Sequence, residues 1–326
     1  MEYLDYYSGQ ALLLCGNLCS CYFSGDMLKV LENINNFDKE MYQILKQNLT
    51  EEYKNARFYI SISTALSIIF AFSMIFLTGF STEASREVSF AKSICIIMPS
   101  FVSTLITVQF CTITSCLQRR FYWLNILIFQ SYKVLRESGH STIRHINFQQ
   151  DILKQRVLLK IMQIREKHFT LSLICERFNE VFAVQITAVI VQHFINIVLM
   201  LIYSGRHLIK DSDIVVEYIV FAVISMSWSF TQLLFLTLIA SSTAQEALKS
   251  GPLIHQMIYA KKTKLDENLN LEIFFFSLQL LHQNVEFNAC RCFVINETLL
   301  FAIAGAITTY LIIIIQFDVA YYAEEN

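Results

Sequence analysis

Hydrophobic residues in this chain come in long unbroken runs, separated by connections that are themselves periodic. Runs of about 20 residues with no charge in their central turns fit helices that cross a bilayer. They fall at about 58–80, 93–117, 179–203, 215–240 and 293–317. A further run, from Ala11 to Phe23, is shorter than a comfortable crossing and reads as a partial span within about 10–25.

The connections carry a helical period. Leu28, Leu31, Ile34, Met41, Ile44 and Leu45 make residues 29–57 an amphipathic helix, lying either at the membrane face or as an extension of the next span. Between 118 and 178, Ile152, Leu153, Val157, Leu158, Ile161, Ile164 and Phe169 recur too regularly, over too great a length, for a loop. The flanking spans are therefore expected to project beyond the membrane. The 241–292 connection behaves likewise, with Leu271, Phe274, Phe275, Leu278 and Leu281 on one stripe and a break at Gly251-Pro252. The pattern predicts an all-α membrane protein: a multi-span helical bundle with long helical extensions over 118–178 and 241–292, in one transmembrane domain, 1–326.

Charge supplies the orientation. Lys and Arg number five in 24–57, eleven in 118–178 and five in 241–292, whereas the alternate connections hold only Arg86 and Lys92, then Arg206 and Lys210, and the C-terminal tail none. The positive-inside rule puts the rich connections in the cytoplasm and the C-terminus outside. The sequons Asn48-Leu49-Thr50 and Asn296-Glu297-Thr298 then face the cytoplasm and are expected to carry no glycan.

Composition narrows the class further. With 55% apolar and 16% charged residues, 8 Gly and 2 Pro, the chain is too greasy for a soluble domain and too structured for a linker. A net charge of -2 leaves no bulk electrostatic case for nucleic acid. Nine scattered cysteines suggest no disulfide framework. Cys15, Cys19 and Cys21, or Cys290 and Cys292 with His282, lack the paired spacing of a zinc site, so no metal or cofactor is expected. Phosphate-loop, G-x-S-x-G and H-E-x-x-H motifs are missing, and no span offers a carboxylate to partner His193 in acid-base chemistry, so the chain does not read as an enzyme.

Candidate functional residues fall into two sets. In the last run, Thr309 sits above Gln316 on one stripe and Tyr310 above Phe317 on the stripe beside it, about 10 Å apart along the axis, with Ile313 between them. Ala302, Gly305, Ala306 and Thr309 form a small-residue face that permits close backbone approach in lipid. Two readings stand: Gln316 and Phe317 line and gate a pore, or they form an interfacial polar end and aromatic belt. Asp318, Glu324 and Glu325 either concentrate cations at an outer vestibule or are ordinary solvated acids.

The second set is polar and lies within spans. It comprises Gln185, Gln192, His193 and Asn196, then Ser225, Trp228 and Gln232, then Ser100, Thr104 and Thr107. Amides and hydroxyls with one indole face suit a small polar ligand such as a sugar, with Trp228 the best single contact. The same residue types also join helices inside a bundle. His193 stands out as an ionisable group at membrane depth. His140, His145, His168, His207, His255 and His282 lie in connections and read as solvated or cytoplasmic contacts.

The phrase Thr309-Tyr310, five hydrophobic residues, then Gln316-Phe317 resembles the C-terminal signature of insect gustatory receptors, seven-helix chemoreceptors that are ligand-gated cation channels. The preceding Phe287, Ala289, Phe293, Ile295, Asn296, Leu299 and Gly305 are similar to that family's lead-in. The resemblance is specific over about the last 35 residues and architectural elsewhere. It implies a homo- or hetero-tetramer in the plasma membrane of a sensory neuron, gated by a small-molecule tastant, sugar or bitter compound, bound within each subunit. It also implies an outer pore constriction at Gln316 and Phe317, and a short cytoplasmic helix at Leu269–Glu286 that helps anchor subunits together. Residues 11–23 correspond to the inner end of the family's second span, so the chain is expected to be N-terminally short: a truncated gene model, a short form or a receptor that no longer works. The alternative class, a small multi-span transporter, calls for Gly- or Pro-broken helices in inverted halves, and only Pro99 lies inside a span.

Overall fold

Long apolar runs that continue into periodic connections should give helices far longer than a bilayer, and this is what the computed structural model contains. It describes residues 2–45, 54, 58, 60–62, 64–66, 68–70, 86–138, 147–209, 215–259 and 267–324. In chain order the elements are α1 (Glu2–Tyr22), α2 (Ser24–Leu45), α3 (Ile60–Phe70), α4 (Arg86–Ser138), α5 (Asn147–Ile209), α6 (Val215–Leu248), α7 (Ser250–Tyr259), α8 (Glu267–His282), β1 (Asn288–Ala289), β2 (Phe293–Val294) and α9 (Glu297–Glu324).

Helix α5 has 63 residues, about 95 Å at 1.5 Å per residue, against a hydrocarbon core of about 30 Å. Among the described residues, three stretches are long and apolar enough to cross a membrane: Met98–Arg136, Ile152–Ile202 and Ile219–Ile258. Helices α4, α5 and α6 pack on one another, with α1 against α4 and α5. Gly9 permits that crossing, because a Cβ there would stand 2.8 Å from the Pro99 ring. The expected span at 58–80 is described only in part, as α3. Residues 71–80 and the Asn48 sequon lie outside the described residues.

Below the expected spans the lower halves of α4 and α5 gather α2, α7 and α8 into one core. On α5 the buried positions Val157, Ile161, Ile164, His168 and Leu171 recur at steps of three and four, the spacing of a packed helical seam. They face Phe121, Leu124 and Ile128 of α4 and Ile273 and Phe276 of α8, all completely buried. Polar bonds tie the same layer. Arg120 donates from Nε to Asp38 Oδ1 at 2.7 Å and from Nη2 to Oδ2 at 2.5 Å, both side chains buried. Arg165 pairs with Glu272, Lys167 with Glu40, and Asn125 joins Glu246 at 3.0 Å and Ser250 at 2.6 Å.

Four expectations need correction. The first run and its polar sequel are the two helices α1 and α2, bent by 61°, so the amphipathic helix starts at Ser24 and not at Lys29. Helix α2 buries Val30, Ile34, Phe37 and Met41, leaving Leu28 and Leu31 exposed, because the burying face is the one that carries Asp38 to Arg120. The last helix begins at Glu297, four residues later than expected: Asn296 caps it, its Oδ1 accepting from the Thr298 amide at 3.1 Å, with Glu297 in the positive first turn. Ahead of the cap lies a two-stranded antiparallel ribbon pairing Asn288 with Val294 and Ala289 with Phe293, which is too short for periodicity to signal.

Candidate functional site

Helix α9 touches its own subunit along one narrow stripe. Leu299, Leu300, Ile303 and Ile307 pack on the core, and Tyr310 meets Phe194 of α5 edge-on at 6.1 Å. The rest is open. Ala302, Gly305 and Thr309 are exposed, Ala306 is half-buried, and a Cβ on Gly305 would meet nothing within 4 Å. Thr309 donates its hydroxyl to its own helix, at the Gly305 carbonyl, 2.9 Å away. Tyr310, Ile313 and Gln316 are exposed as well, and Phe317 lies on the same continuous helix. Among the described residues the small face seen in the sequence is therefore mostly uncovered within the subunit, although small residues are selected for close approach.

The N-terminal end of α9 is fastened instead. Glu297 accepts from the buried Ser241 hydroxyl of α6 at 2.7 Å on each oxygen, and Gln245 supports Ser241 at 3.2 Å. Sequence reading missed this link, since Glu297 looked only like the middle residue of a sequon.

The polar span residues are brought together unevenly. Asn196 donates to Ser225 at 3.1 Å and to Ser229 at 2.7 Å, bridging α5 to α6. Ser229 was not singled out in the sequence, though it stands one turn after Ser225 on the same stripe. Gln185 reaches Ser20 of α1 at 3.1 Å, and Gln192 is buried where α1 crosses, near Gly9. Thr104 turns back to the Ser100 carbonyl at 2.8 Å and Thr107 to that of Ser103 at 2.9 Å. Gln232 is buried on α6. Trp228 stacks flat on Phe70 of α3, with centroids 4.2 Å apart and planes 7° apart, and its indole N–H is buried without a partner. His193 is buried with Nε2 unpartnered. Buried polar atoms without partners at this depth are what a bound polar molecule would satisfy.

Two cavities open nearby, neither lined by these ligand candidates. An apolar crevice of about 280 Å³ runs between α5, α6 and α9, walled by Ile197, Met226, Phe230, Ile303 and Ile307. A polar cavity of about 650 Å³ lies lower, between α5 and the ribbon, beside Glu176, Glu180, His282 and Arg291.

His168 is not solvated, contrary to its place in a connection. Its ring is buried between Phe121 at 5.2 Å and Phe276 at 5.7 Å, and neither nitrogen makes a hydrogen bond of good geometry. Burial pushes its pKa down to about 4, partly offset by the Ala247 backbone. Among the described residues no group of His, Cys, Asp or Glu is placed to hold a metal ion.

Helices that are apolar at membrane depth, and are locked by buried polar pairs where they extend beyond it, define an all-α multi-pass membrane protein. The sequence profile described as 7tm chemosensory receptor matches residues 1–321, and the chain belongs to that family. The family is one of receptors, not enzymes. Among Drosophila melanogaster proteins, putative gustatory receptor 28a is 26% identical over 170 residues, 51% of this chain and 37% of that protein. Gustatory receptor for bitter taste 66a is 34% identical over 99 residues, 30% of this chain and 18% of that protein. The chain thus matches well under half the length of these curated relatives. The fold is similar to that of the olfactory receptor OR5 of Machilis hrabei, solved in complex with eugenol, with a TM-score of 0.63 at 13% identity over 96% of this chain and 82% of that one. The resemblance carried by Thr309 through Phe317 is borne out.

Proposed function

We propose that this chain is a gustatory receptor subunit that forms, as a homo- or hetero-tetramer in the plasma membrane of a sensory neuron, a cation channel gated by a small tastant. In this reading α9 lines the pore and runs from the cytoplasm outward, with Gln316 and Phe317 at the outer constriction. The tastant, a sugar or a bitter compound, is held among α4, α5 and α6 near Trp228, Asn196, Ser225, Gln192 and His193. One relative's name speaks for a bitter compound, and the partly apolar, indole-bearing lining suits either class.

The observation that carries the proposal is the outward small face of α9. A helix with Gly305 facing nothing in its own subunit, and with Thr309 and Gln316 likewise exposed, is suited to pack around an axis with copies of itself. Helix α8 offers a second such face. It buries Leu269, Glu272, Ile273 and Phe276 inward, yet leaves Leu271, Phe274, Phe275, Leu278 and Leu281 exposed. Ligand binding that favours the open state would move α6, and the Ser241–Glu297 bond would pass the movement to α9.

Expression in cells without such receptors, with currents recorded against sugars and bitter compounds, tests the reading. Gln316→Ala should change the relative permeability of cations or raise the leak. Unchanged permeability and gating would remove the pore assignment.

A further inference from the structure

The ribbon before α9 ends in two thiols that the proposed function does not use. Cys290 and Cys292 are both exposed and free, at the tip of the turn that joins β1 to β2. The turn is strained: Cys290 has φ 50° and Arg291 φ 60°, left-handed conformations adopted here by two non-glycine residues. It is also well braced. The Cys292 amide donates to the Ala289 carbonyl at 2.9 Å, the Arg291 amide to Asn288 Oδ1 at 3.0 Å, and the Ile295 amide to the Phe287 carbonyl at 2.8 Å. Phe287 is buried against Phe110 and Phe178. The base of the ribbon is thus locked in the core while its tip leaves both cysteines exposed, Cys290 at the wall of the polar cavity and the Cys292 thiol directed to the Cys290 carbonyl at 3.6 Å.

Depth gives the thiols a meaning. The Asn288 amide donates at 2.9 Å to Asn179 Oδ1, and Asn179 opens the expected span 179–203 at its cytoplasmic end. On the other side, the apolar length of α9 starts at Leu299, seven residues after Cys292. Both neighbours set the turn at the inner membrane surface, with the exposed Arg291 between the sulfurs. Of the other described cysteines, Cys111 and Cys175 are buried, Cys15, Cys19 and Cys116 are half-buried, and Cys21 is exposed near the end of α1.

We propose that Cys290 and Cys292 are sites of S-acylation by a long-chain fatty acyl-CoA, which tethers the ribbon, and with it the start of the last helix, to the inner leaflet. The thiolate sulfur attacks the acyl-CoA carbonyl. A new carbon–sulfur bond to the cysteine forms, the bond to coenzyme A sulfur breaks, and coenzyme A leaves as the thiol with the proton the cysteine gave up; nothing is oxidised or reduced. Juxtamembrane thiols on the cytoplasmic side are the usual acceptors for this chemistry. A chain delivered there enters lipid beside α9 without spanning it.

The inference rests on the orientation in the proposed function, so the test reads both. The full chain is expressed in insect cells fed an alkynyl palmitate analogue, and hydroxylamine-sensitive label is followed on the purified protein. The wild type should carry the label, and Cys290→Ser/Cys292→Ser should lose most of it. Peptide mapping of thiols released by hydroxylamine from the wild type reads the same sites without a substitution. Absence of label on membrane-inserted wild type, or release at other cysteines only, overturns the acylation and leaves the channel reading standing. Modification of Cys290 or Cys292 on intact cells by a membrane-impermeant maleimide overturns the orientation, and the acylation with it.

Discussion

The core below the expected spans and the last helix are built on opposite terms. In the former, Phe121, Leu124, Ile128, Ile161 and Phe276 are wholly buried, and ion pairs are closed between α2 and α4 and between α5 and α8. In α9, Phe301 is 79% exposed, and Tyr310, Ile312 and Ile315 are each about half exposed. Buried area is the main source of folding stability, so the lower core contributes more to the subunit's stability than α9 does. Helix α9 is fastened at Glu297 and leans on α5 and α6 by one stripe. The gate proposed on α9 would have to move at little cost, and an element with few contacts of its own is drawn from the low-stability end of a structure.

The contrast can be broken most forcefully at the Asp38–Arg120 pair. Arg120→Met leaves a buried carboxylate without its counter-charge and should cost roughly 3–5 kcal/mol, read as a large fall in thermal stability in detergent and in the amount reaching the membrane. Adding Asp38→Leu should restore much of that loss. A single variant as stable as the wild type would mean that the lower core is not where the stability lies.

A smaller effect is expected at His168, and it depends on pH. The folded state holds the ring neutral with a pKa of about 4, below the unfolded value of 6.5, so the unfolded chain takes up the proton first. The stability present above pH 6.5 should therefore fall as pH drops from 6.5 towards 4, by up to about 3 kcal/mol for this group. Unfolding curves of the wild type and His168→Phe across that window should diverge as the pH falls, with the variant the less acid-sensitive. Parallel curves would remove His168 as a cause of acid instability.

The smallest effect on stability is expected on α9. Gly305→Leu adds a side chain where nothing stands within 4 Å, so the isolated subunit should unfold within about 0.5 kcal/mol of the wild type. If the face packs against copies of itself, the same change should abolish assembly and current. Retained current would show that the small face is turned to lipid.

The amino-acid sequence by itself determined the helical class, the approximate ends of the apolar runs, and the fact that the connections continue as helices. Those rest on period and on the length of apolar runs, which are local properties. The signature at Thr309 through Phe317 was also legible, because it lies on a single helix. Partnership was decided elsewhere. Which of two adjacent stripes α2 would bury depended on Arg120, 82 residues from Asp38. Whether Asn196 would meet Ser229, or Glu297 meet Ser241, depended on how α5, α6 and α9 lie side by side. His168 became a buried ring only when α4 and α8 closed over it. The last helix shows the division most clearly. Its small face could be read from spacing, but only the packed subunit established that this face is left uncovered, because burial is a property of neighbours and not of spacing.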